Sequence, residues 1–286
     1  MTNEQKVICY YHNDLDGICS AAIVLKKYPE AECISCMHDV TRWDPAEVKG
    51  SKVFVVDFAF KDMEMLNNHC DLTWIDHHVS NIRNNNKDSW ENKDIPGIRN
   101  FTEAGCVLTW LTLFPGITIP KPALLIGDQD VWTLKFGDET KRFVEAANLY
   151  IKSPEDIRWK KLLGGSKDHN LMLFDWYMSG KVLVNARENR IKKLFKCGVE
   201  GELNGHKTMF INSVVDFSYL GEYCYKTKSY QIAFIWQHVR DKIVVHLRSN
   251  TVDVESIAKQ LGGGGHESAS GFSCTLEKLL ELLPQK

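Results

Sequence analysis

Apolar and polar positions follow two alternating rhythms along the first eighty residues. "KVICYYH" (6–12) is a short β-branched and aromatic run that predicts a strand, and "GICSAAIVLKKY" (17–28) follows with helical apolar spacing. "AECISCMH" (31–38) predicts a second strand, "KVFVVDF" (52–58) a third buried on both faces, and "DLTWIDHH" (71–78) a fourth. "DMEMLNNH" is read as a helix between the last two. Near-continuous apolar strands alternating with helices predict a mostly parallel sheet with helices on its faces.

Further on, the polar, Asn-rich stretch 81–100 predicts a surface loop, and "EAGCVLTWLTLF" (103–114) a helix ended by "PGITIP". "KPALLIGDQDVW" (121–132) reads as an apolar helix or strand ending in two aspartates. Residues 139–196 are helical in pattern, broken at Gly164-Gly165 and closing in one long helix over 168–196. Strand-like runs return in "TMFINSVV", "YQIAFIWQ" and "KIVVHLRS", followed by the helix "VESIAKQL", the run "GGGGH" and a last helix. The expected fold class is α/β. An N-terminal domain over 1–184 would carry the parallel sheet and a helical connector, and 185–286 would form a smaller α/β domain, the boundary falling inside the long helix.

The strands that matter end in acid or histidine: His12 with Asp14 and Asp16, then Asp57, then Asp76 with His77 and His78. In open α/β sheets ligands bind beyond the carboxyl ends of the strands, so these distant groups should meet on one rim. Each fragment has a plainer reading. "HNDLDG" alone fits a turn, Asp57 alone an N-cap, and "DQD" alone a turn or cap. Their common placement at strand ends changes that balance. Imidazoles and carboxylates together suit manganese, and also magnesium or zinc.

The composition is that of a soluble globular protein, 44% hydrophobic and 25% charged. The start lacks the basic and apolar regions of a secretory signal, and no apolar run approaches the roughly 20 residues of a membrane-spanning helix. Nine scattered cysteines read as reduced thiols, so a cytoplasmic protein without a membrane partner is expected. "CISC" (33–36) has no second pair to complete a zinc site, and strand alternation makes it core packing. Charge is uneven. Residues 1–150 carry 15 Lys and Arg against 22 Asp and Glu, a net −7, and residues 151–286 carry 20 against 15, a net +5. An acidic half suits cations and a basic half an anionic partner.

The ordered set His12-Asn-Asp14-Leu-Asp16-Gly17, Asp57, Asp76-His77-His78 and Asp128 resembles the DHH phosphoesterase superfamily. "GGGGHESASGF" (262–272) is similar to the glycine-rich signature of its associated C-terminal domain. The resemblance implies two divalent metal ions, manganese first. His12 and Asp14 would hold one ion, Asp16, His77 and Asp128 the other, and Asp57 would bridge them. Asp130 competes with Asp128 for the fourth motif, and the family pattern favours Asp128. Asp76 would orient a histidine. His78 would face the reacting phosphate as a stabiliser or proton donor, which makes His78 and Asp76 the catalytic pair.

In the basic half, four consecutive glycines are entropically unfavourable unless backbone must approach a ligand closely. Gly263, Gly264 and Gly265 are therefore read as an anion cradle rather than a linker, with His266 placed to hydrogen-bond a phosphate or base. Arg248 and Ser249 look like the family's substrate-anchoring pair, the guanidinium gripping phosphate bidentately. The activity implied is a metal-dependent phosphodiesterase, with a cleft between the domains. Its substrates would be short single-stranded oligonucleotides or small nucleotides, including cyclic dinucleotide products and 3′-phosphoadenosine phosphate. The alternatives are a pyrophosphatase or exopolyphosphatase, and a non-catalytic nucleotide- or RNA-binding module. A homodimer is the assembly considered.

Overall fold

The computed structural model describes residues 5–37, 42–79, 81–82, 95–164 and 167–284. Most of the loop expected at 81–100, together with His38 and Gly165, lies outside the described residues. The chain divides into two compact units, Met1–Val184 and Asn185–Lys286.

The first unit is built on four parallel strands, β1 (Val7–His12), β2 (Glu32–Cys36), β3 (Lys52–Val56) and β4 (Asp71–Ile75), in the order β2-β1-β3-β4. Side chains alternate across a strand, so each strand serves two cores. Cys9, Tyr11, Phe54, Val56 and Ile75 pack on one face against helices α1 (Leu15–Lys27), α4 (Gly105–Leu113), α5 (Lys121–Asp130) and α6 (Asp138–Tyr150). Ile8, Tyr10, Val53, Val55, Leu72 and Trp74 face the other way, toward the short helices α2 (Pro45–Val48) and α3 (Met63–Asn67). Burial on both faces is why these strands read as continuous apolar runs rather than alternating ones. Cys33 packs with the first core and Cys36 with the second, and all nine cysteines are free thiols. The outer edge of β4 is covered: Trp74 N–H donates to Pro96 and Asp76 N–H to Ile98, at 2.8 and 3.2 Å. Another short helix, α7 (Arg158–Leu162), precedes the long α8 (Lys167–Lys196), within which the unit boundary falls.

The second unit holds six strands, β5 (Val199–Leu203), β6 (His206–Asn212), β7 (Ile232–Val239), β8 (Lys242–Arg248), β9 (Gly264–His266) and β10 (Ala269–Cys274). Their order is β5-β6-β7-β8-β10-β9, antiparallel except where β6 meets β7. Helices α10 (Val254–Gln260) and α11 (Leu276–Leu282) supply Val254, Ile257 and Leu279 to a core with Phe234, Val245 and Leu247. The short helix α9 (Phe217–Glu222) lies on the opposite face, where Leu220 packs with Met209, Ala233 and Ile235.

Hydrophobic patterning did not announce β5, α9 or the β9–β10 hairpin. The hairpin also changes the reading of the glycines. Gly262 has φ +80° just after α10, and Gly265 has φ +145°, both conformations that L side chains rarely adopt. A Cβ on Gly263 would lie 2.0 Å from the Gly271 carbonyl oxygen. The chain itself therefore demands glycine at these three positions. Gly264 differs, because a Cβ there would meet nothing within 4 Å. Gly263→Ala is expected to lower the thermal midpoint by roughly 5 °C or more, and Gly264→Ala to change it by less than about 2 °C. Thermal melts of the two variants would check this, and equal losses would show that Gly264 too is held by the fold.

Candidate active site

The strand order decides which side chains meet. Strand β3 lies between β1 and β4, so Asp57, the first residue beyond β3, sits between His12 at the end of β1 and His77–His78 just past β4. The chain leaves β1 to pair β2 on one side and β3 on the other, which makes this rim the sheet's topological switch point. Asp14 is the N-cap of α1, its Oδ1 accepting from Gly17 N–H at 2.9 Å. Asp16 lies in the first turn of α1, and its carboxylate accepts from Gly105 and Cys106 N–H at 2.7 and 2.8 Å, at the start of α4. That helix N-terminus aims Asp16 and steadies its charge. Gly105 is required there, since a Cβ would fall 2.7 Å from Cβ of Asp57.

Among the described residues three groups of potential metal ligands result: His12, Asp14 and Asp57; Asp57, His77 and His78; and Asp16, His77 and Asp130. Asp57 and His77 each belong to two of them. His12 Nδ1 lies 2.8 Å from Asp14 Oδ2 and 3.7 Å from Asp57 Oδ2. His77 Nε2 lies 3.1 Å from Asp57 Oδ1, 3.3 Å from Asp130 Oδ2 and 3.8 Å from Asp16 Oδ2. Asp76 stands behind them. It is wholly buried, accepts from His77 and His78 N–H and from the Asn81 amide, and its Oδ1 is 2.9 Å from His78 Nδ1. It thus fixes the orientation of His78.

The electrostatics of this cluster call for positive charge. Asp57 is 1% exposed, yet neither carboxylate oxygen accepts a hydrogen bond from the described residues. It also has φ 54°, in the left-handed region, where a non-glycine residue is strained by about 1–3 kcal/mol. Burial, then the Asp16 charge, push its carboxyl well above the usual range, and the same two causes raise Asp130. Burial alone would lower His12, but its hydrogen bond to Asp14 and the Asp57 charge carry it up to about 10. Asp14 resists its own burial and falls to about 2, held by His12. A buried acceptor pair without donors, ringed by imidazoles and further carboxylates, fits divalent cations.

Asp128 and Asp130 part company. Asp128, 3% exposed, accepts from Thr133 Oγ1 at 2.5 Å, from Lys135 and Phe136 N–H at 2.8 and 3.2 Å, and from the Thr140 hydroxyl. Opposing its burial, these bonds lower its pKa, and they tie the end of α5 to the turn before α6 and to α6 itself. It is Asp130 that comes to His77. Of the two aspartates that compete for the fourth motif, Asp130 rather than the favoured Asp128 thus joins the cluster, and the supporting Gly105 has only "EAGC" as its sequence signal.

The residues expected to bind substrate all lie in the second unit. Arg248 ends β8 with its stem against Gly221, where a Cβ would be 2.4 Å from Arg248 Cβ. Its Nε donates to Ser218 Oγ at 3.3 Å and Nη1 to the Leu247 carbonyl at 2.9 Å. No carboxylate among the described residues pairs with this half-buried guanidinium, and its burial lowers its pKa. Ser249 is different. Its buried hydroxyl accepts from Thr251 and Val252 N–H at 3.1 and 2.9 Å, stapling the turn after β8. Antiparallel register places Arg248, Ala269 and the exposed His266 on one rung, and His246, Gly271 and Gly264 on the next. Directly opposed residues share a face, so Arg248 and His266 flank a floor of small side chains.

A family model described as the DHH family, N-terminal domain, matches residues 6–112, and a DHHA1 domain model matches 218–285. The chain belongs to the DHH superfamily and carries a C-terminal DHHA1 domain. An uncharacterised protein of Acanthamoeba polyphaga mimivirus is 26% identical over 251 residues, covering 79% of this chain and 54% of that protein. The chain therefore spans about half the length of this relative. Among solved structures, the DHH domain of a member of the s1p family of ribosomal proteins aligns with TM-score 0.67 at 12% identity, over 97% of this chain and 85% of that one. The exonuclease RecJ bound to manganese aligns with TM-score 0.54 at 14% identity, over 97% and 87%. At such identities the likeness is one of fold.

Two outcomes are expected here. Asp128→Ala leaves the buried Thr140 hydroxyl and two part-buried N–H groups without their acceptor and should destabilise the protein by about 3 kcal/mol, while Asp130→Ala should leave stability intact and weaken manganese binding. Urea unfolding in chelator and manganese titration would separate the two, and the reverse pattern would return the ligand role to Asp128. Ion uptake should also release protons. His12, with a pKa raised to about 10, and the raised Asp57 and Asp130 hold protons that a cation displaces, so affinity should climb with pH from 6 to 9. Calorimetry in buffers of different ionisation enthalpy would register the release, and a buffer-independent enthalpy would refute it.

Proposed function

We propose that this chain is a metal-dependent phosphodiesterase that hydrolyses short oligonucleotides or related small nucleotides. The observation that carries the reading is the buried Asp57, without a hydrogen-bond donor among the described residues and shared between ligand groups on a DHH-family rim. Two divalent ions are proposed, manganese first, with Asp130 taking the place expected of Asp128. Four carboxylates, Asp14, Asp16, Asp57 and Asp130, balance the charge of two dications. RecJ, a neighbour in fold, binds manganese, which supports that choice.

Bound there, a pair of divalent ions would supply the acidity that activates a water molecule and the positive charge that meets phosphoryl oxygens. The remaining work belongs to the protein. Asp57 holds the two halves of the ligand set at one spacing. Asp76, bonded to Nδ1 of His78, sets the ring so that Nε2 can meet a phosphoryl oxygen or protonate the leaving oxygen. Arg248 supplies a guanidinium without a carboxylate partner among the described residues, the group that a phosphate would satisfy. Gly264 is the one glycine of its run whose absent side chain the fold does not explain, which supports close backbone approach of a ligand there. His266, on the same rung as Arg248, is placed to bond a phosphate or base. The small floor between them leaves room for an organic group, favouring phosphodiesters over pyrophosphate.

With manganese, the purified chain is expected to hydrolyse di- to decanucleotides faster than pyrophosphate. Asp57→Ala should abolish metal binding and turnover together. His78→Ala should keep the metal and lose about 10²-fold or more in kcat. Gly264→Ala should fold normally and raise KM by roughly tenfold, the scale of a lost contact worth about 1.4 kcal/mol. Faster turnover of pyrophosphate than of any oligonucleotide would overturn the substrate class. Full activity in Asp57→Ala would overturn the metal centre.

A further inference from the structure

We propose that His246 is a second phosphate-contacting group of the DHHA1 unit, donating a hydrogen bond from Nδ1 to the substrate phosphate that Arg248 grips. This rests on the proposed role of Arg248 as phosphate anchor. The two residues are separated by one position on β8, so both project from the face opposite Ile243, Val245 and Leu247. Their Cα atoms are about 6.6 Å apart along the strand, a span that one phosphate group between the two side chains can bridge.

The surroundings of His246 fix its ring and its proton. Phe217 stacks against it with centroids 3.9 Å apart and planes inclined by 17°. The Gln237 amide nitrogen lies 3.4 Å from His246 Nε2. With the Gln237 amide in this orientation its N–H donates and Nε2 accepts, the arrangement in which the neutral ring carries its hydrogen on Nδ1. Burial, then the neighbouring Arg248 charge, hold the imidazole pKa down to about 4, which keeps the ring neutral and Nδ1 a donor through the physiological range. Nδ1 has no hydrogen-bond partner among the described residues and is not sealed from solvent. The next strand offers only Gly271 opposite His246, and Gly264 stands beyond it, so no side chain from those two positions covers the ring.

A neutral donor beside a guanidinium that meets no carboxylate among the described residues, over a glycine floor, recognises an acceptor-rich anion. It adds geometry to the charge that Arg248 supplies, because a fixed N–H selects where the phosphate oxygen lies. His246 would then discriminate between phosphate positions along a chain rather than attract anions in general.

The test is calorimetric binding of the dinucleotide pApA to the full chain in chelator, where no hydrolysis intervenes. His246→Phe preserves the stack on Phe217 and removes the donor; its Kd is expected to rise five- to tenfold. His246→Asn returns an N–H near the position of Nδ1 and should bind within about twofold of the native chain. Arg248→Ala should weaken binding more than tenfold. Native affinity in His246→Phe, with Arg248→Ala weakened, would overturn the role of His246 and leave the anchor standing. Equal weakening in the Phe and Asn variants would also overturn it, showing that shape rather than the donor matters. Unchanged binding in Arg248→Ala would overturn the anchor, and the proposal with it.

Discussion

A carboxylate buried without a hydrogen-bond donor is the constraint around which the first unit is organised. Asp57 is almost completely inaccessible and sits in a left-handed conformation, within reach of three imidazoles and beside other carboxylates. Burying an unpaired acid opposes folding, and gathering more acids around it compounds the opposition. Such an arrangement persists where the surrounding fold over-determines it. Here two large apolar cores, one on each face of the parallel sheet, hold the strand ends in place. Stability accumulates in those cores, and the rim draws on it to keep an electrostatically unfavourable cluster in position.

The second unit reaches a comparable state with the opposite sign. Arg248 is a half-buried guanidinium without a carboxylate partner among the described residues, supported by Gly221, Ser218 and a main-chain carbonyl. One unit thus carries surplus negative charge around ligand groups, and the other an uncompensated cation beside a hairpin of small residues. The net charges of the two halves foreshadow this division, but individual burial is what gives it chemical meaning. Exposed charges would be screened by water and salt, whereas the buried Asp16 and Asp57 are screened far less.

Much of this was legible in the sequence, for reasons that the structure makes plain. Parallel strands buried on both faces write long apolar runs, and the acids and histidines that end them stand out against that background. Residues 6–12, 52–56 and 71–78 announced the rim in this way. Other features left no such trace. The β9–β10 hairpin has too few apolar side chains to show a period of two, so its glycines looked like a ligand loop when three of them answer to main-chain geometry. Asp128 and Asp130 are chemically identical and two positions apart, hence about 200° apart around a helix. Only the donors that meet Asp128, namely Thr133 and two N–H groups in the turn before α6 and Thr140 within α6, show which of them faces inward. Ser249 likewise has the identity of a ligand-binding hydroxyl and the bonding of a turn staple.

The central claim, that Asp57 is shared between two ions, is tested most directly by electron paramagnetic resonance of the protein loaded with manganese. Two ions per chain with an exchange-coupled spectrum are expected, and Asp57→Asn should reduce that spectrum to isolated ions or none. A single uncoupled manganese in the native chain, or a coupled pair that survives the loss of the Asp57 carboxylate, would contradict it.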